Sequence, residues 1–153
     1  MTKLSAPYDE LIPRARALLS GERHPVANAA NLAALIFDEV DRLNWVGFYF
    51  VEDSELVVGP FQGRPACVRI PMGAGVCGTA ARSRETQRVE DVHAFEGHIA
   101  CDPDSRSEIV VPLLHEGRVI GVLDIDSPVP ARFDAGDQAG FEALAAVYLE
   151  SLG

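Results

Sequence analysis

SEIVVPLLHEGRVIGVLDIDS, residues 107–127, reads as two strands around a tight turn. Residues 107–114 and 118–127 are rich in β-branched and aliphatic side chains. His115, Glu116 and Gly117 between them form the strongest hairpin signal in the chain. The same hairpin carries chemistry. Glu108 lies on its first strand, and Asp124 and Asp126 occupy alternate positions of its second. Immediately upstream, GHIACDPDSRS, residues 97–107, sets Cys101 on a polar loop that feeds the hairpin. A thiol beside several carboxyl groups suggests a nucleophile working next to a proton donor. Together with Cys67, Cys77, Trp45 and Tyr49 it points to redox chemistry on a small sulfur-containing substrate.

Outward from the hairpin, QRVEDV (87–92) reads as a short strand, and the aperiodic stretch from His93 to Ser107 as a loop. Residues 76–84 read as a short helix entered through a glycine-rich loop at 71–75. WVGFYFV (45–51), ELVVGP (55–60) and ACVRI (66–70) are predicted strands. At the N-terminal end, Leu4, Tyr8, Leu11, Ile12, Ala15, Leu18 and Leu19 recur at helical spacing despite Pro13. Pro25 sits where a second helix begins, with Val26, Ala29, Ala33, Ile36, Phe37 and Val40 on its stripe. SPVPARF connects the hairpin to a closing helix over 134–152. The order ααβββαβββα predicts an α+β protein: an antiparallel sheet of about six strands with helices packed on it.

A chain of 153 residues fits a single domain over 1–153 and buries enough surface to need no disulfide or metal staple. The net charge of −10 repels phosphate backbones, which argues against nucleic-acid binding. No apolar run is long enough to span a membrane. Asp9, Glu10, Arg14 and Arg16 interrupt any signal-peptide core, so a cytoplasmic location is expected. Three cysteines without close pairing are not a secreted disulfide framework; each is a buried filler or a reactive thiol.

Strand alternation sorts these residues by face. Trp45, Gly47 and Tyr49 share one face of the first strand, and Val46, Phe48 and Phe50 the other. Asp124 and Asp126 oppose Leu123 and Ile125. One face is core. The other mixes aromatic rings, acids and a glycine that leaves space, as a polar pocket with an aromatic wall requires.

With these residues in hand, the chain resembles the free methionine-(R)-sulfoxide reductases, single-domain GAF proteins. The resemblance runs from about Asn44 to Phe133, through NWVGFYF, GPFQG, CVRIPMGAGVCGTA, QRVEDVHAFEGHIACD, SEIVVPL and GVLDIDS. It implies a GAF fold, no bound cofactor or metal, and reduction of free L-methionine-(R)-sulfoxide. It implies further that Cys101 is the catalytic cysteine, Cys67 the usual resolving one, and Cys77 a third that also enters a disulfide. Trp45, Tyr49, Glu108, Asp124 and Asp126 fall on substrate-pocket positions. Ser107 and Ile109, beside Glu108, are taken as substrate-binding positions too.

Independently of the resemblance, sulfoxide reduction needs a thiolate to attack sulfur and protons for the departing oxygen. Three carboxyls facing one cavity cannot all ionise cheaply, so at least one retains its proton and can donate it. Asp126 or Glu108 is expected in that role, with Asp124 orienting the substrate or binding its ammonium. Trp45 offers a surface for the substrate's methyl group. The resulting sulfenic acid on Cys101 condenses with Cys67 or Cys77. Thioredoxin has a suitable potential to reduce the disulfide. A homodimer through the terminal helices is a further expectation. Competing readings are a non-catalytic small-ligand GAF module and a redox sensor using Cys101 without turnover. Gly73 to Gly78 also matches a dinucleotide loop, and Cys67, Cys77, Cys101 and His98 are a weak zinc set without a close ligand pair.

Overall fold

The computed structural model describes residues 7–99 and 101–153. Helices α1 (Tyr8–Leu19) and α2 (Pro25–Glu39) precede strands β1 (Trp45–Glu52), β2 (Glu55–Gly63) and β3 (Arg69–Pro71). Helix α3 (Gly75–Ser83), strand β4 (Gln87–Val89) and a 3-10 turn (Val92–Ala94) lead to β5 (Ser107–His115), β6 (Arg118–Ser127) and α4 (Ala135–Ser151). The strands form one sheet in the order β3-β2-β1-β6-β5-β4, and every pairing is antiparallel. This is the α+β arrangement expected from the element order. Leu4 lies outside the described residues.

Local chemistry explains the boundaries. The β5–β6 turn uses Glu116 and Gly117, both with positive φ (52° and 78°). A two-residue type I′ turn needs this, and its twist matches that of the strands it joins. Helix α2 starts at Pro25, and the His24 imidazole accepts hydrogen bonds from Val26 N and Ala27 N. Helix α4 opens with a reciprocal capping box between Asp134 and Asp137.

Two strands are shorter than their patterns predict. The ladder of ACVRI begins at Arg69, with one further bond from Val58 N to the Val68 carbonyl, and Cys67 upstream is bonded to Cys101. QRVEDV stops at Val89, because Asp91 accepts a hydrogen bond from His93 N at 3.0 Å and caps the 3-10 turn. The strands on either side of Gly73–Gly78, β3 and β4, pair antiparallel with β2 and β5, so among the described residues no parallel strand–helix–strand unit supports the dinucleotide reading.

The sheet separates two apolar clusters. Helices α1, α2 and α4 cover the face carrying Val46, Phe48, Ile109, Leu123 and Ile125. The opposite face carries Trp45, Tyr49, Val110 and Val122, packed against α3 through Val76, Cys77, Ala80 and Ala81. The alternation therefore assigns both faces as the sequence predicts.

Candidate active site

Strand register assembles the acids. Glu108 on β5 pairs across from Asp126 on β6, and Asp126 pairs across from Trp45 on β1. Asp124 stands opposite Gly47 on one side and Val110 on the other. Directly opposed residues bring their Cβ atoms to about 5 Å. Glu108, Asp124 and Asp126 are only 7%, 5% and 8% exposed. They face a cavity of about 520 Å³, counted with its mouth, which also meets Trp45, Tyr49, Cys77 and Cys101.

Burial without a counter-charge governs the electrostatics. None of the ion pairs among the described residues involves these three carboxyls. Burial pushes the Glu108 pKa well above the carboxylate range, and the nearby charge of Asp124 pushes it further. Asp124 is raised by burial and then by Asp126. Asp126 is raised by burial and then by Glu108. The cluster therefore holds protons where exposed carboxyls have lost them. One polar atom is left over: Asp124 Oδ1 is buried with no hydrogen-bond partner.

The cysteines divide into a pair and a single thiol. Cys67 and Cys101 form a disulfide, with Cα atoms 5.5 Å apart. It ties the segment between β2 and β3 to the loop before β5. Cys77, in the first turn of α3, is free and buried. Its thiol donates to Glu108 Oε2 at 3.9 Å. Burial, then the charge of Asp124, pushes its pKa well up, so it stays a thiol. His98 lines the cavity, and burial followed by nearby His93 lowers its pKa.

The aromatic wall is a stack fixed at two polar ends. Trp45 stacks on Phe61 and on Tyr49, with centroids 5.2 and 5.8 Å apart. Its indole N–H donates to the Arg64 carbonyl, and the Tyr49 hydroxyl donates to the Cys67 carbonyl. Gly47 does leave space, but the indole fills it: an added Cβ would lie 2.5 Å from the Trp45 ring and 2.4 Å from Phe61 Cβ.

Trp45, Tyr49, Cys77, Cys101, Glu108, Asp124 and Asp126 thus meet at one cavity, with Cys67 bonded to Cys101 at its edge. Ser107 and Ile109 do not bring their side chains there. They alternate with Glu108 and point to the other face, where Ile109 joins the main core. The Ser107 hydroxyl donates to Val129 O and accepts from Arg132 N, anchoring the connector after β6. The zinc set also fails to gather. Among the described residues, the one grouping of potential ligand atoms is Cys77, Glu108 and Asp124, while Cys67 and Cys101 are spent on each other. Sequence reasoning gave no role to Asn44, which stands one residue before the alternation of β1. Its side chain donates to Asp102 Oδ2 and Ser105 Oγ on the Cys101 loop, at 3.0 Å each.

A six-stranded antiparallel sheet with helices on both faces and a cavity beneath the shorter helix defines a GAF domain, and the GAF domain family model matches residues 26–148. Free methionine-R-sulfoxide reductase of Escherichia coli (strain K12) is 52% identical over 139 residues, spanning 91% of this chain and 84% of that one. The structure of fRMsr of Staphylococcus aureus in complex with substrate superposes with a TM-score of 0.93 at 49% identity, covering 100% of both chains. Free methionine-R-sulfoxide reductase from Neisseria meningitidis, in complex with its substrate, gives a TM-score of 0.92 at 44% identity, covering 99% of this chain and 95% of that one. The chain belongs to the free methionine-R-sulfoxide reductase family of GAF domains.

Proposed function

We propose that this protein reduces free L-methionine-(R)-sulfoxide to methionine, with Cys101 as nucleophile. One observation carries the reading: a disulfide-forming cysteine lines a cavity whose wall is three buried carboxyls, their pKa values raised by burial and by one another. The names of the relatives agree with it.

The sulfoxide sulfur lies against Trp45, whose ring receives the methyl group. Asp126 or Glu108, held neutral by burial, donates a hydrogen bond and then a proton to the sulfoxide oxygen. Asp124, with its unpaired oxygen, takes the substrate ammonium. The Cys101 thiolate attacks sulfur. The oxygen passes to the Cys101 sulfur, leaving methionine and a sulfenic acid. Attack by the Cys67 thiol forms the Cys67–Cys101 disulfide and releases water. The balance is one sulfoxide and two thiols giving one thioether, one disulfide and one water. A dithiol of low potential, thioredoxin by class, then returns both cysteines to thiols.

Cys67 resolves the sulfenic acid in this reading, because it already lies at bonding distance. Cys77 instead hydrogen-bonds Glu108.

The test is NADPH oxidation coupled through thioredoxin and its reductase. It compares the free R-sulfoxide, the free S-sulfoxide and an N-acetylated R-sulfoxide. Turnover of the free R form alone is expected. Binding without turnover of any of them, with the cysteines shown to be reduced, would replace this reading with a ligand-binding GAF module.

A further inference from the structure

A side chain from the head of β1 docks the loop carrying Cys101. Asn44 stands at the head of β1, beside Trp45, and its backbone N–H donates to the Asp126 carbonyl at 3.0 Å. Its Nδ2 donates both hydrogens outward, one to Asp102 Oδ2 and one to Ser105 Oγ. The amide cannot be reversed, since that would set Oδ1 against a carboxyl oxygen. The price is visible: Asn44 Oδ1 is shut off from solvent and has no partner. Asp102 closes the same loop on itself, its Oδ1 accepting from Asp104 N at 2.9 Å and its carbonyl from Ser105 N at 3.3 Å. Cys101 is the neighbour of this docked turn.

We propose that Asn44 is a positioning residue that holds the Cys101 loop in its disulfide-forming geometry and so favours the Cys67–Cys101 bond over the dithiol. The bonds to Asp102 and Ser105 belong to the disulfide form seen here. In the dithiol form the loop leaves Asn44, freeing Cys101 for substrate. A bond made equally in both forms would strengthen the fold and leave their ratio untouched; only a bond made in one form biases it. The Arg64–Asp104 ion pair ties the segment after β2 to the same loop at 3.2 Å, but both side chains are more than half exposed, so it adds little.

The experiment equilibrates the protein with glutathione and glutathione disulfide and measures the disulfide fraction by mass. Protein dithiol plus glutathione disulfide gives protein disulfide plus two glutathiones. No methionine sulfoxide enters, so the result stands apart from the proposed activity; only the effect on turnover rests on that reading. Asn44→Asp sets two carboxyls face to face. It should lower the equilibrium constant for disulfide formation about tenfold, equal to about 30 mV for this two-electron couple. Asp102→Asn leaves one amide oxygen for two donors, Asn44 Nδ2 and Asp104 N, and should lower the constant less than Asn44→Asp does. The double variant Asn44→Asp/Asp102→Asn exchanges donor and acceptor at unchanged net charge, and should recover to within about threefold of native. Arg64→Ala should change the constant by less than about twofold. If Asn44→Asp does not fold, Asn44→Ala and Asp102→Ala carry the test, and both must lower the constant. In turnover Asn44→Ala should lower kcat and leave KM unchanged. A native constant in Asn44→Asp, or no recovery in the double variant, overturns the proposal.

Discussion

Acids on opposite faces of the sheet are built in opposite ways: buried Asp137 with exposed Asp134 on one, three buried carboxyls on the other. On the face packed by α1 and α4, Asp137 is fully answered. It accepts from the Tyr8 hydroxyl at 2.7 Å, from Arg132 at 3.3 Å and from Asp134 N at 2.9 Å. Asp134, the N-cap of α4, has its pKa held below the usual range, first by the Asp137 backbone N–H. On the cavity face, Glu108, Asp124 and Asp126 have no arginine, leave Asp124 Oδ1 unpaired and hold their pKa values high. The first group fastens a helix to a helix. The second is costly to bury and contributes nothing evident to packing. An acid that is buried, unpaired and beside a redox-active thiol makes sense as a proton source.

The sharpest test of the contrast removes the protons. Asp126→Asn and Glu108→Gln keep the shapes and delete the acids. For whichever carboxyl donates to the sulfoxide oxygen, turnover should fall about 10²–10⁴-fold in the thioredoxin-coupled assay, with the fold intact. The same variants should not lower the melting temperature near pH 8, because an amide is not penalised for ionising. Full activity in both would break the comparison.

The mirror experiment is Asp137→Ala. It leaves the buried Tyr8 hydroxyl without its acceptor and takes one of two carboxylates from Arg132, which keeps Asp41, so denaturant melts should show a loss of about 1–3 kcal/mol. Activity per folded molecule should be unchanged, because the cluster lies behind the sheet.

Stability should also depend on pH in opposite senses for the two groups. Unfolded carboxyls lose their protons around the ordinary values of 3.8 and 4.5. The native cavity acids keep theirs to higher pH, so the native state binds more protons and stability falls as pH rises through that interval. Asp134 acts the other way: its lowered pKa adds stability above 3.8 that is lost as pH falls through its native value. Melting curves between pH 4 and 9 should show a downward trend with rising pH, flattened by Asp126→Asn or Glu108→Gln.

The smallest expected effect concerns Cys77. In the disulfide form it is the one remaining thiol, buried and held protonated. Mass spectrometry after iodoacetamide at pH 7 should find it unmodified in the native protein and alkylated once the chain is denatured. Rapid native alkylation would place it among the reactive thiols.

Much of this site was legible because a strand has a period of two. Knowing that Glu108, Asp124 and Asp126 lie on strands, and that Leu123 and Ile125 are core, puts the acids on the opposite face without any coordinates. The same rule puts the side chains of Ser107 and Ile109 on the face opposite Glu108. Asn44 escaped notice because a residue just outside a strand belongs to no pattern, and its importance comes from partners 58 and 61 positions away.

The sequence by itself determined the elements, their order, the two faces of the sheet and the identity of the reactive groups. Periodicity, turn chemistry and residue type act locally and are written along the chain. Tertiary structure alone decided three things: that Glu108 stands across from Asp126, that Cys67 and not Cys77 meets Cys101, and that Gly47 seats the Trp45 ring. Each depends on the register between strands or on the approach of distant loops. Those are set by the packing of the whole core, and no short stretch of sequence encodes them.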